Sequence, residues 1–390
     1  MPSTSRQLSI YLHIPFCTAK CTYCAFNTYI NLEHLIDRFV DALIREIEAV
    51  GHTNPYPEVG TIFLGGGTPS LLSIAQFERI LTALNASFNI IKSAEITTEA
   101  NPNDLDTDYL VGLRQAGINR ISIGMQSSNT SELKFFARRH DHPVLIESFK
   151  AARAAGFDNI NLDLIYGFPY QTLESWKGSL EDALTLRPEH FSLYALGVEP
   201  ETPLHDWING GDVPAPDDDL AADMYELASE MLANAGYKQY EISNWSLPGL
   251  ECKHNLQYWR NDPYVGLGPG AHGFADGVRY STLLSPQEYI RQLLKDDVSQ
   301  CEFPLTAVTH DFTSLTEQDE IAETLMMNLR LMEGVHRQNF KDRFEIDLMD
   351  LHGQTLARFE QLGIVEISHD VVRISEKGRL LSNMLFRELV

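Results

Sequence analysis

No stretch of this chain reaches the about 18 consecutive apolar residues that a membrane-spanning helix needs, so nothing in it is expected to cross a bilayer. Basic residues are scarce. Thirty lysines and arginines stand against 54 aspartates and glutamates, a formal net charge of -24. So acidic a surface repels phosphate backbones and anionic lipid headgroups, which argues against nucleic acid as a partner and favours solubility. The opening MPSTSRQLS carries one arginine and no apolar segment, so it lacks the pattern of a secretory signal. Cysteine is sparse too: there are five, three of them packed into one short motif. That is no disulfide framework and suits a reducing compartment, so a cytoplasmic protein is expected. Repeats, low-complexity tracts and linkers are missing; PAPDDD (214–219) is the one acidic, proline-bearing loop to note.

What is present is ordinary globular material, long enough at 390 residues for two domains. Over the first half two periods alternate. Short β-branched and apolar runs read as strands at 9–14, 61–66, 95–100, 120–125, 159–167 and 190–196. Between them, apolar spacing predicts helices over 32–50, 74–85, 105–115, 142–155 and 173–186, several closed by a glycine, as in AGINR and AGFDN. Strands alternating with helices mean βαβ units and a parallel sheet. Six such units are too few to close an eight-stranded barrel. The expectation is an α/β fold with an open, partial (β/α)6 barrel, and a doubly wound sheet as the second reading. In both, ligands gather at the carboxyl ends of the strands.

The chemistry-bearing residues fall at those ends. Cys17, Cys21 and Cys24 form C-x-x-x-C-x-x-C directly after the first strand. Three soft thiolates at that spacing suit an iron–sulfur cluster, and with only three protein ligands one iron of a four-iron cube stays open for chemistry. The competing reading is zinc with His13 as fourth ligand, although no second cysteine pair follows. GGGTP (65–69) follows the second strand; its glycines allow close backbone approach and offer N–H groups to a ligand. Glu99 and Asn101 end the third strand, Gln126 and Ser127 end the fourth, and Asp163 lies in the fifth. Arg138, in ARRH, taken alone reads as a solvated helix end.

Together YLHIPFC, FLGGGTPSLL, EANP, RISIGMQS, NLDLIYGFP and HNLQYW resemble the radical S-adenosylmethionine (SAM) superfamily, and within it the oxygen-independent coproporphyrinogen III oxidase group. The resemblance implies a radical SAM barrel. Cys17, Cys21 and Cys24 would hold a [4Fe–4S] cluster whose fourth iron is chelated by SAM, and reductive cleavage of SAM would give a 5′-deoxyadenosyl radical. It implies that Tyr11 and Tyr23 border cluster and SAM, and that Gly66, Gly67 and Thr68 meet the methionine portion. Glu99, Gln126, Arg138 and Asp163 would bind the ribose, amino and carboxylate groups. An electron donor such as a flavodoxin or ferredoxin is implied as well. One position decides the subgroup. The oxidases carry a further cysteine two places after the third; this chain has Phe26. With HNLQYW, this resembles the HemW-type haem chaperones, which bind haem and pass it to acceptor proteins. Oxidative decarboxylation of coproporphyrinogen III remains the alternative activity.

His254 of HNLQYW is the expected axial haem ligand, with Tyr258 and Trp259 as aromatic neighbours; the bland reading is that His254 and Asn255 pin a loop. His272, in GLGPGAHGF, is a second candidate. There is no C-x-x-C-H, so ordinary c-type attachment is not indicated. Three regions are expected: a radical SAM core at 1–235, a connecting region with HNLQYW at 236–303, and a winged-helix-like α/β domain at 304–390. That last region shows helical stretches at 317–332, 336–342 and 349–362, then two short strands and a final helix. It is not notably basic, so it reads as a lid or protein-docking unit rather than a DNA binder.

Overall fold

The computed structural model describes residues 7–295 and 302–389; the opening hexapeptide and Cys301 lie outside them. Six strands follow one another in chain order: β1 (Leu8–Ile14), β2 (Val59–Gly66), β3 (Ile90–Ala100), β4 (Arg120–Gln126), β5 (Ile160–Tyr166) and β6 (His190–Ala195). Each pairs in parallel with the next. The order never reverses, so there is no switch point of the kind a doubly wound sheet requires. The sheet is the open, partial barrel.

Helices α1 (Ile36–Thr53), α2 (Ile74–Ser87), α3 (Thr107–Ala116), a short α4 (Thr130–Phe135), α5 (His142–Ala154) and α6 (Leu173–Leu186) connect these strands. They bury one apolar stripe each, as in α1, where Phe39, Val40, Leu43, Ile47 and Val50 are buried. Their ends follow local chemistry. Ser73 and Gln76 form a capping box at the start of α2, and α3 stops at Gly117, whose φ of 114° is the left-handed cap that glycine adopts most readily.

After α7 (Pro203–Gly210) and α8 (Asp218–Asn234), β7 (Lys238–Glu241) and β8 (Asn244–Ser246) extend the sheet beyond β6. Then α9 (Lys253–Trp259) carries HNLQYW. Strand β9 (Tyr264–Leu267) joins the far edge parallel to β1, followed by β10 (His272–Ala275), β11 (Val278–Thr282), α10 (Pro286–Lys295) and β12 (Thr309–Ser314). The resulting sheet has 12 strands, ordered β12-β11-β10-β9-β1-β2-β3-β4-β5-β6-β8-β7. It runs across both expected boundaries, 235/236 and 303/304, so the connecting region is part of the barrel's sheet.

A separate core of Leu325, Phe340, Phe359, Val372 and Leu385 builds the last unit from α11 (Glu317–Asn328), β13 (Val335–His336), α12 (Arg337–Phe344), α13 (Leu348–Gln361), β14 (Val365–Ile367), β15 (Val371–Ile374) and α14 (Ser382–Leu389). Helices followed by a hairpin, in a three-stranded sheet ordered β13-β15-β14, give the winged-helix arrangement. It is pinned to the barrel: Arg343, held within the unit by Glu320 at 2.6 Å, donates to the Asn261 carbonyl at 2.8 Å. Among the described residues, no helix is long and apolar enough to cross a membrane.

Candidate functional site

Alternation along the six strands sorts their side chains. One face is apolar and meets the helices: Ile121, Ile123 and Met125 in β4, Leu162 and Leu164 in β5. The other is polar and turns inward: Ser9, Tyr11 and His13 in β1; Thr97 and Glu99 in β3; Arg120, Ser122, Gly124 and Gln126 in β4; Asn161 and Asp163 in β5; Ser192 and Tyr194 in β6. This inner face lines two connected hollows. The outer one, of about 570 Å³, opens at the carboxyl ends of the strands. Cys17, Cys21, Cys24, Tyr23, Gly66, Gly67, Thr68, Glu99, Gln126, Arg138 and Asp163 all line it. Eleven of the twelve residues expected around cluster and SAM are therefore brought together. Tyr11 is the exception: it lines the deeper hollow, of about 200 Å³, with its hydroxyl bonded to His13 Nδ1 at 2.9 Å.

Donors are already aimed at the cysteine sulfurs. Thr68 Oγ1 donates to Cys17 at 3.4 Å and Arg138 Nη1 to Cys21 at 3.6 Å. The Phe26 backbone N–H and the Thr28 hydroxyl serve Cys24, and Thr28 also reaches Cys17. Burial raises the Cys17 and Cys24 thiol pKa values, and these hydrogen bonds pull the other way. Such donors stabilise anionic sulfur, as cluster-bound thiolates require. A structural zinc site would need a fourth ligand beside the three cysteines. His13 cannot complete one: its Nε2 is engaged by the Asn27 carbonyl at 2.9 Å.

The GGGTP turn works differently from expectation. Its N–H groups are spent inside the protein: Gly66 on Glu99 Oε2 at 3.0 Å, Gly67 on the Ile14 carbonyl at 2.8 Å, Thr68 on the Phe16 carbonyl at 2.8 Å. The glycines serve packing. A Cβ on Gly67 would lie 2.6 Å from two carbonyl oxygens of the cysteine loop's approach, and one on Gly66, at φ 102°, would lie 2.4 Å from the His13 ring. The turn thereby holds the cysteine loop against β1.

Across the hollow stand the carboxylates. Burial, then the neighbouring Asp163, pushes the Glu99 pKa up to about 8. Burial also raises that of Asp163, against hydrogen bonds from Ser122 (2.7 Å) and Asn161 (2.8 Å). Behind them Asn161 Oδ1 meets His190 Nδ1 at 2.6 Å, and His190 Nε2 meets the Tyr240 hydroxyl at 2.9 Å, so the Asp163 carboxylate is firmly oriented. Arg138 is no solvated helix end. Ala137 sits at φ 56° and turns the chain, so that Arg138 Nη2 reaches the Gly124 carbonyl at 3.1 Å while its buried Nε has no partner. Gly124 makes room for it: a Cβ there would lie 2.8 Å from both Arg138 and Gln126. Gln126, at φ 61° beside a register shift in β4, is a strained position of the kind found at binding sites. A sulfonium amino acid with a ribose finds here two carboxylates, an arginine with a spare donor, and an amide. The donor set fits SAM beside a cluster.

HNLQYW occupies another place. His254 is buried, with Nδ1 bonded to Thr61 at 2.7 Å and Nε2 to the Tyr258 hydroxyl at 2.9 Å. Burial and Arg120 depress its pKa to about 3. His254, Asn255 and Tyr258 wall the deeper hollow, Glu95 accepts the N–H groups of Lys253 and His254, and Trp259 faces Arg330 of the last unit. Both ring nitrogens are engaged, and a hollow of about 200 Å³ is smaller than the sites that take drug-sized ligands. The geometry gives no support to His254 as an axial haem ligand and matches the loop-pinning reading. Residues the sequence reading passed over are Gly124, Ser122, Asn161, Tyr194, Arg120 and Thr28; the strict alternation of β4 and β5 was the signal for four of them.

Residues 11–183 match the Radical SAM superfamily and residues 315–381 the HemN C-terminal domain. Among curated proteins, the "Heme chaperone HemW" of Escherichia coli (strain K12) is 42% identical over 385 residues, covering 97% of both chains. That of Bacillus subtilis (strain 168) is 36% identical over 383 residues, 97% of this chain and 98% of the other. Among solved structures, the E. coli coproporphyrinogen III oxidase HemN, described as a radical SAM enzyme, superposes with a TM-score of 0.84 at 24% identity, over 99% of this chain and 90% of that one. That likeness establishes the fold, and the full-length sequence likeness goes further: the chain belongs to the HemW family of the radical SAM superfamily.

Proposed function

We propose that this protein is a cytoplasmic haem chaperone: it binds haem, carries a [4Fe–4S] cluster and SAM, and hands the haem to an acceptor protein. The observation that carries the reading is the cysteine loop. It presents three thiols and no fourth to the outer hollow, with exposed Phe26 where the oxidases have a cysteine. Full-length likeness to proteins named heme chaperones supports it.

In this reading Cys17, Cys21 and Cys24 hold the cluster, with Thr68, Thr28 and Arg138 easing negative charge on sulfur. Glu99 and Asp163 take the cationic and ribose ends of SAM, and Arg138 with Gln126 takes the carboxylate. Tyr23 and the turn at Gly66, Gly67 and Thr68 close the wall. When bound, the cluster supplies one-electron chemistry at SAM, and a flavodoxin- or ferredoxin-type donor would feed it. The protein's own part is to position, to exclude water and to keep Asp163 oriented.

The test is anaerobic reconstitution followed by iron counting and a haem titration. Wild type is expected to hold four irons and to bind haem. Cys17→Ala, Cys21→Ala and Cys24→Ala each lose iron and keep haem, while Cys252→Ser keeps its iron. A full four-iron complement in every triad variant overturns the cluster assignment.

A further inference from the structure

The haem-chaperone reading leaves open where haem sits, and HNLQYW is closed to it. Thr61 Oγ1 donates its one proton to Ser9 at 2.7 Å, so it accepts from His254 Nδ1–H. His254 Nε2 then accepts from Tyr258, and nothing on that ring is left for iron.

We propose that haem docks on the rim of the cluster loop, with His272 as axial ligand and Phe26, Ile30 and Leu284 as its apolar seat. This rests on the haem-chaperone reading. His272 is exposed at the start of β10, and the described residues give its ring no hydrogen-bond partner. The turn before it is locked to the cluster loop. Asn27 Nδ2 donates to the Pro269 carbonyl at 2.9 Å and to the Leu284 carbonyl at 3.0 Å. A Cβ on Gly270 would lie 2.3 Å from that same nitrogen. The Tyr29 hydroxyl donates to Leu284 O at 3.2 Å. These bonds gather three large apolar side chains into one neighbourhood: Phe26, 68% exposed, beside Asn27; Ile30, 44% exposed, beside Tyr29; and Leu284 itself, 56% exposed.

Exposed apolar clusters mark binding surfaces, and each of these side chains costs solubility if it does nothing. An open imidazole next to such a cluster is what a flat, apolar, iron-bearing macrocycle needs: one neutral nitrogen for the metal and a greasy seat for the ring. The position also explains why phenylalanine is useful where the oxidases place a cysteine. It puts the cargo at the mouth of the cluster hollow, whose lining Phe26 shares, on a loop fixed by Asn27, whose carbonyl holds His13.

The experiment is a titration of the full chain with haemin under anaerobic conditions, following the Soret band, with cluster iron counted as a check on folding. His272→Ala should shift the band and weaken binding about tenfold or more, with free imidazole restoring the wild-type spectrum. Phe26→Ser should weaken binding without moving the band of the bound fraction. His369→Ala, on the last unit, should change neither. An unchanged spectrum and affinity in His272→Ala overturns the site. If wild type itself binds no haem, the chaperone reading fails, and this site with it.

Discussion

Replacing Asp163 by asparagine probes the SAM site with little change of shape. Oδ2 of Asp163 accepts from Ser122 Oγ at 2.7 Å and Oδ1 from Asn161 Nδ2 at 2.8 Å; Ser192 serves the carboxylate as well, which leaves one lone pair for the hollow. Asparagine can turn its amide nitrogen toward Ser122, whose hydroxyl rotates to accept, so the fold is retained and the charge is lost. A hydrogen bond to a charged group contributes about 1.5–3 kcal/mol, so SAM should bind roughly 10- to 150-fold more weakly. A second effect runs the other way. Asp163 helps to hold the Glu99 carboxyl protonated, and its removal lets Glu99 ionise more readily and attract the SAM cation. The comparison therefore belongs at about pH 9, above the Glu99 value of about 8, where Glu99 is ionised in both proteins. Isothermal calorimetry with SAM on the cluster-loaded protein gives the number. An affinity within a factor of about two of wild type at that pH would remove Asp163 from the site and refute the reasoning.

Glu99 also makes SAM binding pH-dependent. The free protein holds the Glu99 proton up to about pH 8, the cationic ligand favours the ionised form, and binding expels the proton, so affinity rises with pH and levels off above 8; Glu99→Gln should flatten that calorimetric profile. Gly67→Ala places a Cβ 2.6 Å from the Ile14 and Phe16 carbonyl oxygens, which are backbone and cannot turn away; it should cost about 1–3 kcal/mol in denaturant unfolding and reduce iron loading. His254→Ala leaves Thr61 and Tyr258 short of a partner and should cost about 1–3 kcal/mol of stability per unmet group, while a haemin titration shows unchanged affinity.

The parallel strands were legible because each is a β-branched run buried on its helix-facing side and followed by a helix with a glycine or polar cap. Strand β12, THDFTS, is almost wholly exposed and carries no apolar signal, so the sheet's true extent did not show. The cysteine spacing and the polar strand ends announced the outer hollow, since they depend on order along the chain alone. Arg138 was hidden, because its inward reach depends on the left-handed Ala137 and the missing side chain of Gly124. GGGTP misled because a sequence shows the N–H groups but not the Ile14 and Phe16 carbonyls that take them. His254 misled for the same reason: its partner Thr61 lies 193 residues away in the chain. Imidazole beside aromatics names a haem ligand only when the ring is reachable.

The central claim is that this chain carries haem rather than making its precursor. Anaerobic incubation of the reconstituted protein with coproporphyrinogen III, SAM and a reductant, beside a haemin titration of the same preparation, tests it in one experiment. Haem binding at micromolar concentration is expected, with no protoporphyrinogen IX above the protein-free control. Steady decarboxylation over many turnovers, with no haem bound, would contradict it and make the protein a coproporphyrinogen oxidase that works without the further cysteine.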